Sequence, residues 1–178
     1  MNGLIVIGYP GIGKTSAVEN GISNCIIDFE SSLFKVNDRK IDNWCSIYCK
    51  QAVSMAKQGF TVLISSHKCV REELAQYDQD GFTIVTIAPS YSLKDEWIDR
   101  LKNRYKANPC ERNLAAWKNA ESNFINDISN IASECTFSHI FINSMDYNLK
   151  LILSNLRGIY SGRTSRLVGR RPHEEYED

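Results

Sequence analysis

An open α/β fold, with a five-stranded parallel sheet covered by helices on both faces, is what this 178-residue sequence predicts. Three observations carry that reading. Five short β-branched runs recur along the chain, each nearly continuous in apolar residues, the mark of parallel strands buried on both sides. Stretches of helical period lie between them. A glycine-rich segment stands at the first strand-to-helix junction, where sheets of this kind place their ligands.

The elements follow in order. Leu4–Ile7 is the first strand, and Ser16–Asn20 starts a helix. Cys25–Asp28 is the second strand. Asn43 is an N-cap for a helix over Trp44–Gln58, whose Trp44, Ile47/Tyr48, Gln51/Ala52 and Met55 share a face, and Gly59 ends it. Phe60–Ser65 is the third strand, followed by a helix striped with Val70, Leu74 and Tyr77. Phe82–Ile87 is the fourth, followed by a helix striped with Leu93, Trp97, Leu101 and Tyr105. From Glu111 a long helix is expected with Leu114, Trp117, Glu121, Phe124, Ile128 and Ile131 on one seam, and His139–Asn143 is the last strand. Trp44, Trp97 and Trp117 all fall on apolar seams and read as core.

Composition narrows the class. At this length the chain is one domain, over 1–156, with a charged tail over 157–178 that is expected to be flexible. The tail carries Arg157, Arg163, Arg166, Arg170 and Arg171, then Glu174, Glu175, Glu177 and Asp178, while Gly158, Gly162, Gly169 and Pro172 break any period. Lys and Arg number 21 against 21 Asp and Glu, so a strongly basic nucleic-acid coat is excluded. No apolar run reaches the ~20 residues of a membrane span. Six cysteines show neither C-x-x-C nor zinc-finger spacing, which with no export signal reads as reduced thiols in a cytosolic protein.

The strongest signal is Gly8-Tyr9-Pro10-Gly11-Ile12-Gly13-Lys14-Thr15, a full G-x-x-x-x-G-K-[ST] phosphate loop between a strand and a helix. Chance supplies this pattern in roughly one chain in a hundred of this length. Its glycines let the backbone curl so that N–H groups point inward at phosphate oxygens, and the following helix adds its positive end. Gly8, Pro10, Gly11, Ile12, Gly13, Lys14, Thr15 and Ser16 are therefore the nucleotide-binding candidates. Lys14 reaches the β- and γ-phosphates and the Thr15 hydroxyl holds Mg²⁺. The nucleotide expected is ATP, with GTP as the alternative. An Asn-Lys-x-Asp guanine-reading motif and a Walker-B acid on the third strand are both missing, which favours a small kinase over a GTPase or a motor.

The second strand ends in Asp28-Phe29-Glu30-Ser31-Ser32. Two carboxylates two residues apart in extended chain share a face, so one can serve Mg²⁺ while the other accepts a proton from an attacking hydroxyl. Asp28 is assigned to metal, acceptor and catalysis, and Glu30 and Ser31 to the acceptor. Capping of loop N–H groups is the alternative role for both acids. His67, after Ser65 and Ser66 at the end of the third strand, is a further acceptor candidate, with a purely structural histidine as the alternative.

Together with Ile64-Ser65-Ser66-His67, Ala88-Pro89-Ser90 and Leu93-Lys94-Asp95-Glu96-Trp97-Ile98-Asp99-Arg100, these segments resemble the small P-loop kinase-like proteins of bacteriophages and mobile elements, over about residues 3–153. More distantly, the acid pair after strand two is similar to that of shikimate, gluconate and nucleoside monophosphate kinases. The resemblance implies a P-loop nucleotide-kinase fold and a bacterial host cytoplasm. The Arg-Gly such proteins carry near the end of this helix is replaced here by Arg104-Tyr105-Lys106-Ala107-Asn108-Pro109. Arg104, at the helix end, is the first choice for a cation closing over the transferring phosphoryl group, and Arg100, one turn earlier, the second. A solvated pair of Glu96 with Arg100 is the alternative. Asn108 and Pro109 then suggest a hinged lid of moderate length.

The function expected is an ATP-dependent transfer of the γ-phosphoryl group to a nucleoside- or nucleotide-like acceptor. One alternative is a kinase acting on a hydroxymethyl-pyrimidine base in phage DNA, for which only the Arg157–Arg171 arm offers a basic surface. The other is a regulatory NTPase without a small acceptor. A small-molecule partner is favoured over nucleic acid.

Overall fold

The computed structural model describes residues 2–19, 25–37 and 39–167. In chain order the elements are β1 (Gly3–Gly8), α1 (Lys14–Glu19), β2 (Ile26–Asp28), the two-residue strands β3 (Lys35–Val36) and β4 (Arg39–Lys40), α2 (Trp44–Lys57), β5 (Thr61–Ser65), α3 (Lys68–Leu74), β6 (Phe82–Pro89), α4 (Lys94–Ala107), α5 (Glu111–Ser133), β7 (Ser138–Ile142) and α6 (Leu149–Leu167). Five strands pair in parallel in the order β2-β5-β1-β6-β7, and β3 and β4 form a separate antiparallel hairpin. The three-layer parallel α/β architecture is as expected.

Alternation along β1 divides the core. Ile5 and Ile7 join Val62, Ile64, Tyr48, Ala52, Val70 and Leu74 under α2 and α3. Leu4 and Val6 join Leu63, Val85, Ile87, Trp97, Phe124 and Leu153 under α1, α4, α5 and α6. Each fully buried Leu, Ile or Phe in these clusters contributes about 1.5–3 kcal/mol. The chain visits one side of β1 before the other, so its order reverses about that strand, and a crevice opens at the carboxyl end. Among the described residues no helix is long and apolar enough to cross a membrane.

Four local expectations change. Asn43 does precede α2, but with φ 54° and without a side-chain cap bond; its carbonyl accepts the Ile47 N–H (3.1 Å), so it turns the chain through a left-handed conformation that asparagine tolerates. The buried seam of α5 runs through Asn113, Ala120, Phe124, Ile128 and Ile131, leaving Leu114 and Glu121 exposed. The β3–β4 hairpin has no apolar signature and was not expected. Finally, α6 continues through Arg157, Gly158 and Gly162, so the boundary placed between 156 and 157 falls inside a helix. Residues 168–178, with Arg170, Arg171 and the four terminal acids, lie outside the described residues, as does Asn20 in the first helix.

Candidate active site

Gly8 closes β1, and a Cβ there would lie 2.5 Å from Ile12 Cδ1 and 2.9 Å from Lys14 Cδ, so any larger residue would displace the Ile12 and Lys14 side chains folded back over it. Gly11 (φ 90°) and Gly13 (φ 88°) supply the left-handed turns. The curl is held from outside. The Trp97 indole N–H donates to the Pro10 carbonyl (2.8 Å) and the Tyr147 hydroxyl to the Gly11 carbonyl (3.4 Å), with the two rings stacked at 6.0 Å. Buried Ile12 plugs the loop beneath, and the Ala17 N–H bonds the Gly13 carbonyl (2.9 Å) to begin α1. Carbonyls committed outward leave the inner side of the loop to N–H groups, the arrangement an anion needs.

Lys14 Nζ donates to the Gly8 carbonyl (2.8 Å). Burial pushes its ammonium down to about 8 against the opposing pull of Asp28 and Glu30, while Arg104 and Arg112 add to the depression. Five charged groups thus share one field. Thr15, the second residue of α1, donates its hydroxyl to Asp28 Oδ2 (2.8 Å), joining the phosphate loop to the end of β2. Asp28 Oδ1 is buried without a partner, and burial raises this carboxyl despite the Thr15 bond and Lys14. A hydroxyl beside a carboxylate with an unsatisfied oxygen is a donor set that fits Mg²⁺, which takes one or two protein oxygens and completes its shell with phosphates and water.

Tyr48 explains why β2 and β5 end where they do. From α2 its hydroxyl donates to the Phe29 carbonyl (2.5 Å) and accepts the Ser65 N–H (3.0 Å), bridging the two strands just as their ladder stops. Burial raises Tyr48 to about 12, which keeps it protonated for the first bond. Glu30, beyond this bridge, accepts the Ser32 hydroxyl (3.0 Å) and pairs with Arg112. Ser31 gives its carbonyl to Lys40, whose ammonium lies 4.0 Å over the Trp44 ring. His67 precedes α3, edge-on to Trp44 at 5.8 Å; burial, then Lys40, Lys14 and Arg71, push its pKa below the usual imidazole range, so it stands neutral at pH 7. Arg71, paired with Glu134 (2.6 Å), fixes the neighbouring Ser66 carbonyl (2.6 Å).

The two arginines of α4 separate. Arg104 is half-buried with Nε unpartnered; burial, and then Arg112, lower its pKa. It belongs with Lys14, Glu30 and Arg112. Arg100 lies over the Trp97 and Tyr147 rings (5.2 and 5.3 Å) instead of pairing with Glu96, and it lines a cavity of about 460 Å³ with Ile12, Gly13, Ser16 and the 146–150 segment. The guanidinium expected over the transferring phosphoryl group is thus held against two rings, beside the phosphate-loop residues Gly13 and Ser16. The expected lid of moderate length is corrected. Only Asn108–Cys110 connects α4 to α5, and buried Asn113 closes that corner by donating to the Asn108 carbonyl (2.8 Å). The helices themselves carry the arginines over the site.

Three parts of this site were missed in the sequence: Tyr48, the 146–150 segment and Arg112. A signal existed for Arg112, which sits in the first turn of α5, where the helix dipole disfavours a cation unless an anion or a site calls for it.

Among solved structures, the chain is similar to a gluconokinase from Sinorhizobium meliloti 1021, with a TM-score of 0.54 and 14% sequence identity over 94% of this chain and 95% of that one. No protein-family model matches the chain, and no curated protein matches its sequence. At this identity the likeness shows the fold alone, an α/β P-loop fold.

Proposed function

We propose that the chain is a phosphotransferase that moves the γ-phosphoryl group of a nucleoside triphosphate to an oxygen of a nucleoside- or nucleotide-like acceptor. The reading is carried by one observation: the phosphate loop is bonded, through Thr15 and Asp28, to an acidic strand end whose free oxygen is buried. A nucleotide switch needs the loop but no acceptor base.

Each group then has a task. The loop N–H groups, the start of α1 and Lys14 hold the β- and γ-phosphates. Thr15 and Asp28 would hold Mg²⁺, which supplies neutralisation of charge on the phosphate oxygens. Asp28, raised by burial, is the proton acceptor for the attacking hydroxyl, through the carboxylate oxygen that Mg²⁺ would leave free. Glu30 is engaged with Ser32 and Arg112, so it orients that arginine rather than taking the proton. Arg104 and Arg112 stabilise charge on the transferring group. Neutral His67 hydrogen-bonds the acceptor, and the donor nucleoside occupies the cavity beside Arg100.

The test is nucleoside diphosphate release with and without a panel of nucleosides, nucleotides and small polyol acids such as gluconate, run beside Lys14→Ala. Stimulation by one acceptor class is expected, with the variant lower by ~10²–10³-fold. Slow hydrolysis that no acceptor stimulates would replace this reading with the regulatory NTPase. One observation favours a second acceptor class. Leu33 and Val36, 71% and 61% exposed, sit on the turn and hairpin that follow Glu30, the kind of apolar wedge that polymer-acting proteins insert between bases. Oligonucleotides bearing hydroxymethyl-pyrimidines therefore belong in the panel.

A further inference from the structure

Building on the proposal that the cavity beside Arg100 takes the donor nucleoside, we infer that the donor base is guanine and that Asp146 selects it. Asp146 lines the cavity, and among the described residues its carboxylate has neither an ion-pair nor a hydrogen-bond partner. Of the two cations lining the cavity with it, Arg100 has its guanidinium over the Trp97 and Tyr147 rings, and Lys150 forms no ion pair with this carboxylate among the described residues. The segment is well anchored. The Asp146 N–H donates to Ser144 Oγ (3.2 Å), and the next residue, Tyr147, bonds the Gly11 carbonyl, which fixes the spacing between this carboxylate and the phosphate loop.

A carboxylate only accepts hydrogen bonds, and it has two oxygens side by side. Guanine offers adjacent donors, N1–H and the 2-amino group, so both oxygens are satisfied at once. Adenine offers one donor, the 6-amino group, flanked by ring-nitrogen lone pairs, so a second carboxylate oxygen would face a lone pair. Asn148 strengthens the match. Its Oδ1 accepts the Leu151 N–H (3.2 Å), leaving the amide N–H₂ as the group available for guanine O6. The set lacks the order of an Asn-Lys-x-Asp motif, yet it offers the same kind of complement to the base.

Calorimetry on the full chain with GDP, ADP, IDP and xanthosine diphosphate tests the assignment. GDP should bind ~10–100-fold more tightly than ADP, and IDP, which lacks the 2-amino group, should lose about tenfold relative to GDP. Asp146→Asn exchanges one acceptor for a donor, so it should weaken GDP by a similar factor and tighten xanthosine diphosphate, whose C2 carries an oxygen. ADP binding as tightly as GDP, or an Asp146→Asn variant with unchanged preference, overturns the guanine assignment while leaving the phosphate loop standing. Binding of none of the four nucleotides overturns both.

Discussion

Lys14 titrates within reach of ordinary buffers, because burial holds it near 8. Bound phosphates supply negative partners and raise that value, so complex formation above pH 8 must take up a proton. The sign follows from linkage: the complex binds more protons than the free protein, so affinity falls as pH rises, by up to about tenfold per unit. Calorimetry in two buffers of different ionisation enthalpy should show proton uptake at pH 9 that is much reduced at pH 7; equal uptake at both would mean that Lys14 does not meet the phosphates. Asp28 makes a complementary prediction. Asp28→Asn keeps its size but removes the proton acceptor, so acceptor phosphorylation should fall by ~10²-fold or more while nucleotide affinity changes little. A collapse of nucleotide affinity with normal turnover at saturation would move Asp28 to the donor side. At this scale the sequence was readable where chemistry demands a fixed spacing, as in the phosphate loop and Asp28. It was not readable for Arg112 or Tyr48, whose roles arise from a three-residue corner and from two strand ends brought together in space.

Elements were legible where burial is two-sided. All five sheet strands, the stripe of α4 and the Val70–Leu74 part of α3 follow from apolar runs and period, because each has one low-energy way to hide its surface, whereas α3 ends at Leu74, short of the expected Tyr77. The β3–β4 hairpin buries almost nothing and so left no pattern. The seam of α5 rotated because the helix begins at a corner closed by Asn113; a polar residue took a buried position on the strength of one hydrogen bond, and Leu114 was turned outward. The element on which the crevice most depends is α2, through Tyr48. Tyr48→Phe loses both strand-end bonds and leaves the Phe29 carbonyl and Ser65 N–H unpaired, at a cost of about 1–3 kcal/mol. For a chain of this length that lowers Tm by roughly 2–4 °C per kcal/mol. Phosphoryl transfer should suffer more than nucleotide binding, since Asp28 and Ser65 lose their common brace. Unchanged melting and turnover would show that the bridge is dispensable.

For the molecule as a whole, two cores back to back on one sheet place the candidate groups at the carboxyl end of β1, β2 and β5, on the helices above it, or on the 146–150 segment after β7. The segment 168–178 adds two arginines and four acids, a net charge of −2, to a body that carries +2. Deleting 168–178 preserves α6 as described, whereas a cut at 157 would remove part of that helix. The shorter deletion should leave melting, nucleotide affinity and transfer to free acceptors unchanged within twofold. Loss of activity on oligonucleotides alone, with a shallower salt dependence, would assign the arginines to a polymer acceptor. Trp97 gives the molecule a further property. Its indole is at once the peg behind the Pro10 carbonyl and the face under Arg100, so any shift of the loop alters the polarity around a natural fluorophore. Trp44 and Trp117 stand on other surfaces, beside His67 and Tyr105. With those two replaced by phenylalanine, the chain becomes a single-colour optical gauge of its own occupancy, readable in a stopped-flow mixer without a dye.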